Sequence, residues 1–594
     1  MKHSTIYRTA LMALIAVAAT ACSSELTDAE GTQPQPAEPG EQITVIATQQ
    51  TENEQNDRPQ TRVNYDFSPA DGTVVVTWAQ NDVFYVGNDG WSAITNQAIS
   101  TDASGFKSFS LKGGANTKAG EFIGPLPNNT EDGKSLYAIY GNDQMKVDQG
   151  SIVLSYSGQR QTANDNKDHL AGYDFMGASA TYTKGQNPTF AFKRLGAMMK
   201  FALNLPGVTE VKELHLSFLD NIWSFTSEAN WKKEGTDMKL GCEMSSNSIT
   251  LTLGTNDTPI NISGGSLTAY MMVAPTTLTK EEAPIDGKEI LLAVKDNKGM
   301  LHTKILNGSE IAAGMYYTVT HQTLSPAFAG GSGTESEPYQ ISTAEQLRNL
   351  SRLVNSDLFY SDFKDKYYEL TTDIDLNNET WTPIGYESAN SFKGHFTGKK
   401  SDGSTPTISG LKIDSSFDNN GLFGCVVGGT ISNITVSGSI TINDGTSSDR
   451  TGSIAGFISN GTKLENCTSS CDITTNQGYT GGIVGEIGGN ATLTDCEYTG
   501  TITTTGVEQP GGIVGAITMN FENEEVTLTG CSSTKIETII GVISGESSSG
   551  SIIIKKDESD PGITLPGESG SSYPPILTPE GGPGDYTEGG DMFQ

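Results

Sequence analysis

The C-terminal half of this 594-residue chain repeats a five-residue glycine frame at a nearly constant interval. Each frame ends in glycine, and successive final glycines are 32, 29, 30 and 30 residues apart. A period near thirty residues is typical of stacked supersecondary units, because one unit alone cannot bury its apolar face. Short runs of Ile, Val and Thr between turn residues favour strands over helices. The frames lie at 420–424, 452–456, 481–485, 511–515 and 541–545, and they predict a β-solenoid.

The repeat assigns roles to particular side chains. The Ile or Leu two residues before each final glycine is predicted to stack on its equivalent in the next coil. A second predicted ladder begins at Ile434 and continues through Cys467, Cys496 and Cys531, the last after an insertion of about five residues. Neighbouring coils should lie about 4.8 Å apart.

The cysteines of this ladder allow three interpretations. Cys467 and Cys471 form a CxxxC pair near Cys496, and three thiolates could hold zinc. Ile434 at the equivalent position, with no histidine nearby, favours buried small apolar side chains instead. A disulfide between adjacent coils is the third alternative, and the redox state of these thiols and of Cys531 stays open.

The N-terminus has the pattern of a secretory signal. Basic residues come early, and residues 10–19 form an apolar run that is too short to span a bilayer about 30 Å thick. The sequence Thr20-Ala21-Cys22 after this run resembles a bacterial lipobox, in which Cys22 becomes the acylated first residue after removal of residues 1–21. The alternative is a plain secretory signal in which Cys22 is incidental.

Composition and charge predict two flexible segments and argue against one class of binding partner. Residues 22–60 contain few large apolar residues, so they are predicted to be a flexible tether. Lys and Arg number 37 against 70 Asp and Glu, and the net charge of −33 argues against nucleic-acid binding. Residues 557–594 lack basic residues and are rich in Pro, Gly and Ser, so they are predicted to be disordered.

Between tether and repeats, the pattern changes to antiparallel sheet. Residues 199–205, 214–218 and 249–253 alternate apolar and polar side chains, and a turn at 295–299 separates two apolar runs as in a hairpin. Such alternation indicates sheets with one buried face. We predict two β-sandwich halves, at 61–190 and 191–322.

A set of ordered motifs carries a family resemblance in this region. Residues 61–63 read Thr-Arg-Val and precede a strand that ends in Trp78, followed by an acidic turn. Further motifs follow at 173–176, 190–195, 271–275 and 313–317. In this order they resemble the fimbrillin-like domains of Bacteroidetes surface lipoproteins, and the resemblance implies tandem transthyretin-like β-sandwiches used as adhesins and pilus subunits.

The same resemblance implies a processing step. In pilin members of the family, an arginine-directed cleavage of the N-terminal segment precedes assembly by strand exchange. Arg58 and Arg62 are the candidate cleavage sites in this chain. An ordinary shaft subunit lacks a long repeat domain, so a tip, accessory or free-standing adhesin fits better.

The repeats resemble a second family. The entry segment at 331–341, a helix start at Ala344, the strand pattern at 368–376 and the glycine frames are similar to GLUG-motif repeats of bacterial surface proteins. The resemblance covers residues 331–556 and implies a right-handed β-solenoid that opens with a cap. Asp373 and Asp375 alternate with apolar residues there, so we predict that they face solvent rather than form a catalytic pair.

The sequence predicts an all-β protein of the outer membrane that binds rather than catalyses. The six histidines form no His-Glu-x-x-His motif, and neither a nucleophile elbow nor a phosphate-binding loop is present. We expect no cofactor and no metal site, and we expect partners among fimbrial subunits or host and bacterial surface ligands. The alternatives are a glycan-binding protein, for which Tyr479 and Tyr498 are the aromatic candidates, and a polysaccharide-cleaving β-helix enzyme.

The lipobox interpretation predicts the outcome of one substitution. Cys22→Ala should release the protein from the membrane fraction or leave an unprocessed precursor, because the acylated thiol is gone. Fatty-acid labelling and membrane fractionation measure this, and a variant that labels and fractionates like the parent would disprove the interpretation.

Overall fold

A computed structural model describes residues 41–49, 66–67, 74–75, 77–555, 563–566 and 576–577. Within 77–555 it leaves out 143, 220–223, 235–236, 256–257, 277–288, 309, 415–416, 444–445, 447, 477, 506–509, 520–523, 537 and 546–550. Among the described residues, no helix has the length and apolarity needed to cross a bilayer. The predicted sites at Cys22, Arg58 and Arg62 lie outside the described residues.

The described residues up to Arg194 form a first group of strands. They are β1 (Gln42–Gln49), β2 (Asp66–Phe67), β3 (Val74–Val75), β4 (Val83–Asn88), β5 (Gln97–Ala98), β6 (Lys107–Gly113), β7 (Ala119–Pro125), β8 (Ser135–Tyr140), β9 (Lys146–Asp148), β10 (Ser151–Ser155), β11 (Arg160–Gln161), β12 (Met176–Thr181) and β13 (Thr189–Arg194). Seven of them close into a barrel in the order β1-β13-β12-β8-β4-β6-β7.

Aromatic side chains fill the barrel. Trp78 is fully buried, and its ring centroid lies 5.0 Å from that of Phe122 and 5.8 Å from that of Phe192. Phe84 lies 4.6 Å from Phe122. Close aromatic pairs of this kind stabilise a core by about 0.5–1.5 kcal/mol each beyond the burial of their area. The predicted strand that ends in Trp78 therefore leads into the centre of the barrel.

The prediction of a tether over 22–60 is wrong at residues 42–49. These residues form β1, which pairs with β7 antiparallel and with β13 parallel and so closes the barrel. Val45 and Ala47 are fully buried in the barrel core. The segment alternates apolar and polar residues as a strand does, but the alternation is short and lies within a stretch of mostly polar composition, which favoured a tether.

The second group of strands follows. They are β14 (Ala197–Asn204), β15 (Glu210–Phe218), β16 (Phe225–Glu234), β17 (Asp237–Ser246), β18 (Ser248–Thr255), β19 (Thr258–Asn261), β20 (Ser266–Val273), β21 (Glu289–Asp296), β22 (Leu301–Asn307), β23 (Tyr316–Thr323) and β24 (Ser325–Pro326). Together with β5, β9, β10 and β11 of the first group, they form three sheets. The strand orders are β17-β16-β10-β9-β5, β11-β18-β19-β15-β21-β22-β24 and β20-β14-β23. The hairpin predicted around 295–299 is confirmed, since β21 and β22 pair from Lys295 and Leu301.

The boundary predicted between residues 190 and 191 does not separate the two cores. Strands β9 and β10 precede it in the chain, yet they pair into the sheet of β16 and β17. Their residues Val147, Ile152 and Leu154 are buried in the second core. Alternation shows which face of a strand is buried, but it does not identify the strand that pairs with it. The sequence around β9 and β10 therefore gave no sign that these strands belong to the second core.

A buried ion pair holds the end of β13 to the segment that precedes β12. Arg194 donates to both carboxylate oxygens of Asp174 over 3.1 Å, and the two side chains are almost inaccessible to solvent. Both residues belong to motifs that resemble those of fimbrillin-like domains, at 173–176 and 190–195. Removal of one partner would leave an unpaired buried charge, so the pair imposes this geometry on the chain.

The third unit begins with a helical cap and the first coils. Its elements are β25 (Tyr339–Ile341), α1 (Ala344–Val354), α2 (Tyr360–Phe363), β26 (Tyr367–Leu370), β27 (Ile374–Asp375), β28 (His395–Gly398), β29 (Thr407–Ile413), β30 (Asn419–Asn420), β31 (Phe423–Val427) and β32 (Thr430–Ile442). The helix predicted at Ala344 is confirmed, and the hydroxyl of Thr343 caps it by accepting from the Gln346 amide.

The later coils complete the stack, which we call the rod (residues 331–555), and two short strands follow the rod. The strands of the later coils are β33 (Arg450–Gly452), β34 (Ala455–Ser459), β35 (Thr462–Ser469), β36 (Asp472–Thr475), β37 (Tyr479–Gly481), β38 (Val484–Gly488), β39 (Ala491–Thr494), β40 (Glu497–Tyr498), β41 (Ile502–Thr504), β42 (Val514–Met519), β43 (Glu525–Thr529), β44 (Ser532–Ser533), β45 (Thr538–Gly545) and β46 (Ser551–Lys555), and the two that follow are β47 (Ile563–Pro566) and β48 (Ile576–Leu577). From β25 to β46 neighbouring strands pair in parallel, which confirms the predicted solenoid.

Apolar ladders run through the rod as predicted. Ile431 pairs with Leu464, which is followed in the next coils by Leu493 and Leu528, and all four are buried. The frame residues Leu422, Ile454, Ile483 and Ile513 are also fully buried. Each ladder buries its side chains against the coils on both sides, so the stack is stabilised by its repetition.

The fifth glycine frame is out of register with the other four. The amide of Ile513 donates to the carbonyl of Ile539, and Val514 pairs with Ile540. Ile543, which the frame aligned with Ile513, instead stacks on Ile517. The last coil is therefore shorter than the others, and the recurring glycine at its end belongs to a different position of the coil.

The prediction of disorder over 557–594 is wrong at two short segments. Strand β47 pairs antiparallel with β46, and β48 pairs antiparallel with β45. The last parallel strands of a stack expose unpaired backbone donors and acceptors, which any extended segment nearby can satisfy. Composition alone did not predict this pairing, because backbone groups rather than side chains provide it.

The interior position of the frame residues predicts the effect of a charge. Ile483→Asp and Ile513→Asp should each destabilise the rod by about 3–5 kcal/mol, because a carboxylate would be buried without a partner. Thermal unfolding of the full chain measures this. Thr503→Asp, at an exposed position of the same stack, is the matched control and should leave the transition unchanged. Equal transitions for all three variants would contradict an apolar ladder at these positions.

Candidate functional site

One apolar core continues from the second sheet unit into the rod. Leu291, Ala293 and Leu301 of β21 and β22 belong to the same buried cluster as Phe328 and Leu347. The cap of the rod therefore covers these side chains of the second sheet unit. Because packed cores resist deformation, the junction holds the rod in a fixed orientation on the sheets.

Helix α1 joins the two sides of this junction. Toward the sheets, Asn349 donates to the Thr303 hydroxyl at 3.2 Å and to the Ala327 carbonyl at 3.3 Å. Toward the first coils, the Ser351 hydroxyl donates to the Thr382 carbonyl at 2.7 Å. Buried polar side chains need such partners, so these bonds fix the rotation of the helix in the junction.

A cleft of about 850 Å³ opens beside α1, between the sheets and the rod. Lys304, Ile305 and Thr323 line it from the sheets, and Glu345 and Arg352 line it from the helix. Its walls carry hydroxyl, amide and charged groups of both signs, which is a lining suited to a polar ligand.

The two arginines of the cleft are already engaged within the protein. Arg348 pairs with Glu379 at 2.9 Å, and its guanidinium lies 5.8 Å from the ring centre of Trp381. Arg352 pairs with Glu345 at 2.6 Å. Both guanidinium groups are therefore neutralised within the protein, which favours a neutral polar ligand over an anion that would need them unpaired.

A histidine–glutamate contact lies at the same junction. The ring of His215 packs edge-on against Phe359 at 5.1 Å, and its Nε2 lies 3.2 Å from the carboxylate of Glu213. Nearby, Lys295 lies 3.6 Å from Asp362 and so links β21 to α2. The imidazole lowers the pKa of Glu213 below its ordinary value of 4.5, with partial burial acting against the shift.

The cysteine ladder is confirmed as a row of interior side chains, in which Cys467 and Cys496 are buried and Cys531 is partly buried. Cys467 pairs with Ile434, and the thiols of Cys467, Cys496 and Cys531 donate to carbonyls of the preceding coil over 3.5–3.6 Å. All six cysteines in the described part of the chain are free thiols. Burial raises the pKa of the Cys471 thiol to about 12, which disfavours the thiolate that zinc requires. Within the described residues, no group of His, Cys, Asp or Glu is arranged to hold a metal ion.

The residue before each position of this ladder, from Ile434 to Cys531, forms a further ladder that was not predicted from the sequence. Asn433, Asn466, Asp495 and Gly530 all have positive φ, between 50° and 66°. The Asn466 side chain donates to that of Asn433 at 2.8 Å. Asn, Asp and Gly tolerate this left-handed conformation best, so their recurrence before the ladder position was the available signal.

Other predicted positions are found on the surface or in the core. Asp373 and Asp375 are exposed, as predicted, and Asp373 pairs with Lys400 at 3.2 Å. Tyr498, an aromatic candidate for a glycan-binding face, is instead buried, and its hydroxyl donates to the Cys471 carbonyl at 2.8 Å. Tyr479 is half-buried. Tyr498 therefore cannot contribute to an exposed aromatic surface for glycan binding on the rod.

Comparisons with curated proteins give two partial relatives. Halomucin of Haloquadratum walsbyi is 31% identical over 221 residues, which cover 36% of this chain and 2% of halomucin. A Gly-rich candidate membrane protein of Evansella cellulosilytica is 34% identical over 128 residues, which cover 20% of this chain and 14% of that protein. The match thus spans a small part of either relative. No protein-family profile matches the chain.

Solved structures of bacterial surface proteins show a distant likeness. A candidate cell adhesion protein of Bacteroides ovatus is 13% identical, with a TM-score of 0.28 over 48% of this chain and 95% of its own. A fimbrial anchor protein of Porphyromonas gingivalis is 12% identical, with a TM-score of 0.22 over 45% of this chain and 82% of its own. These scores are too low to support an inference about the function of this chain.

The lowered pKa of Glu213 predicts how acid affects the junction. A carboxylate with a lowered pKa stabilises the fold above its unfolded pKa, and this stability is lost as the pH falls through the folded pKa. We expect the thermal transition to fall below about pH 4.5 and to fall less in Glu213→Gln. Glu465→Gln, an exposed carboxylate on the rod, is the control. Identical pH profiles for Glu213→Gln and the parent would contradict the role of this contact.

Proposed function

We propose that this chain is a surface-exposed lipoprotein of the bacterial outer membrane that acts without catalysis in cell adhesion or fimbrial assembly, as a tip or accessory component. The proposal combines the lipobox-like N-terminus, the fimbrillin-like motifs and the repeat rod. The observation that carries it is the continuous core at the junction, in which Leu291 and Leu301 pack with Phe328 and Leu347. A rod fixed in this way holds its rows of outward-facing side chains at a constant distance from the sheets.

The outer rows of the rod offer a repetitive polar surface. Lys463 pairs with Thr492, which pairs with Thr527, so these side chains follow one another across three coils. Strands about 4.8 Å apart repeat such groups along the rod. A surface of this kind can engage a repetitive ligand through many weak contacts, which suits attachment better than turnover.

The position of β1 supports a role in assembly. From Gln42 to Thr48 the strand pairs with β7, and on its other edge it pairs with β13. Cleavage at Arg58 or Arg62 would separate β1 from the rest of the chain. Loss of β1 would then uncover the edges of β7 and β13 together with the apolar site of Val45, which an equivalent strand from another subunit would fill.

The adhesion proposal predicts a loss of attachment. Bacteria that lack the protein should attach less to mucin, extracellular matrix or partner bacteria, and the purified full chain should compete with wild-type cells. Deletion of the whole rod is a poor test, because it would uncover Leu291, Ala293 and Leu301. Equal attachment on every surface would reject adhesion, and turnover of a polysaccharide by the purified chain would favour the enzyme alternative.

The assembly proposal predicts the effect of removing the cleavage sites. Arg58→Ala with Arg62→Ala should abolish processing, so that β1 stays in the barrel and high-mass assemblies resistant to detergent disappear. Electrophoresis of unheated surface fractions measures this, with Arg160→Ala as the control outside the tether. Unchanged assemblies in the double variant would exclude arginine-directed processing at these two sites, while the adhesion test above is unaffected.

The cleft beside α1 favours one second candidate, a glycan-binding function. Its hydroxyl, amide and paired charged groups fit a neutral saccharide better than an ion. Thr323→Trp would fill part of this cleft and should weaken glycan binding without affecting export. Binding of soluble glycans by the parent and not by this variant would favour this candidate over assembly.

A further inference from the structure

Strand β17 lies at an open edge of its sheet. It pairs with β16 on one side, and in the described part of the chain no strand pairs with its other side. The strand is ten residues long, from Asp237 to Ser246. Such an edge exposes backbone donors and acceptors, and soluble proteins usually shorten, cover or interrupt edges of this length.

Apolar side chains are exposed along this edge. Met244 is 56% exposed, which is unusual for a large apolar residue, and the Cys242 thiol is also exposed. Met238 and Leu240 pack only partly against the second core. Within the part of the chain that the structure describes, the apolar side chains of β17 are therefore only partly covered.

The charges of β17 are complementary to a second, antiparallel copy of the same strand. With a two-fold axis at Gly241, Lys239 of each copy lies opposite Glu243 of the other, because antiparallel partners have equal distances from the axis. In the same register, Leu240 lies opposite Cys242 and Met238 lies opposite Met244. The pairing of β17 with β16 shifts register between Cys242 and Met244, so the regular part of the edge is centred on Lys239 to Cys242. The side chain of Lys239 is 60% exposed and pairs with Glu234 at 3.0 Å, and the Glu243 carboxylate accepts from Asn230 at 2.7 Å. The contacts across the axis therefore replace these two surface contacts.

We propose that β17 is a homodimerisation edge, at which two copies of this chain pair antiparallel about Gly241 and join their sheets. The new strand pair supplies backbone hydrogen bonds, covers Met244 and forms two Lys239–Glu243 contacts. One strand edge buries less than the roughly 1,600 Å² of a standard stable interface, so the dimer is weak and depends on concentration. A surface anchor would favour it by raising the local concentration.

Charge reversal tests this arrangement. Lys239→Glu places two carboxylates opposite each other at both contacts, and Glu243→Lys places two ammonium groups there. Each variant should weaken self-association about tenfold or more, since opposite-charge pairs across strands stabilise and like-charge pairs destabilise. An equimolar mixture of the two variants should associate like the parent, because every contact again joins Glu with Lys.

Sedimentation velocity of the full chain over a range of concentrations measures this. Every variant also carries Cys22→Ala, so that acylation does not drive association, and a reducing agent prevents a disulfide at Cys242. Salt near 0.15 M screens the net charge of −33 over about 8 Å. Lys146→Glu, exposed on β9 of the same sheet, is the matched control and should dimerise normally.

Three results would overturn the proposal. They are a parent that stays monomeric at every concentration, single variants that associate as the parent does, and a mixture that fails to associate. Recovery in the mixture also shows that both variants are folded, since misfolded chains would not restore a specific contact. Association of β17 with extended peptides alone, with no dimer, would assign the edge to another protein instead.

Discussion

Parallel stacking of incomplete units governs the rod. A coil such as the one that contains Ile483 buries its interior residues only because a coil lies on each side of it. Both ends of the stack therefore need cover. At the first end, α1 and the sheets of the second unit supply it through Leu347 and Leu301, and at the last end β47 and β48 pair with the open strands.

The cover at the first end also couples the units mechanically. Apolar residues on β21 and β22 complete the core of the rod, so the two units are not independent bodies joined by a linker. Ala327 and Phe328, in the segment between them, are buried. A force or a ligand that acts on the rod is thereby transmitted to the sheets through packed side chains rather than through a flexible tether.

The barrel depends on a similar completion by a distant segment. Residues 50–82 separate β1 from β4 in the chain, yet Val45 and Ala47 fill the core beside Phe190 and Trp78. Strand β17 presents the opposite case, an edge that has no neighbouring strand among the described residues. The edges of the barrel are thus paired within the chain, whereas the unpaired edge of β17 is where another chain could pair with the sheet.

The sequence by itself determined the periodic features. The solenoid, its buried isoleucines, the helix at Ala344, the hairpin at 295–299 and the burial of the cysteine ladder all follow from spacing and alternation, which are local properties of a chain. Only the tertiary structure decided the partners: β1 in the barrel, β9 and β10 in the second sheet, Ile513 beside Ile539 and Tyr498 in the interior. The apolar pattern of a strand specifies which face it buries. Its neighbouring strand is determined by backbone pairing and packing between residues far apart in the chain, and such pairing produces no regular spacing in the sequence.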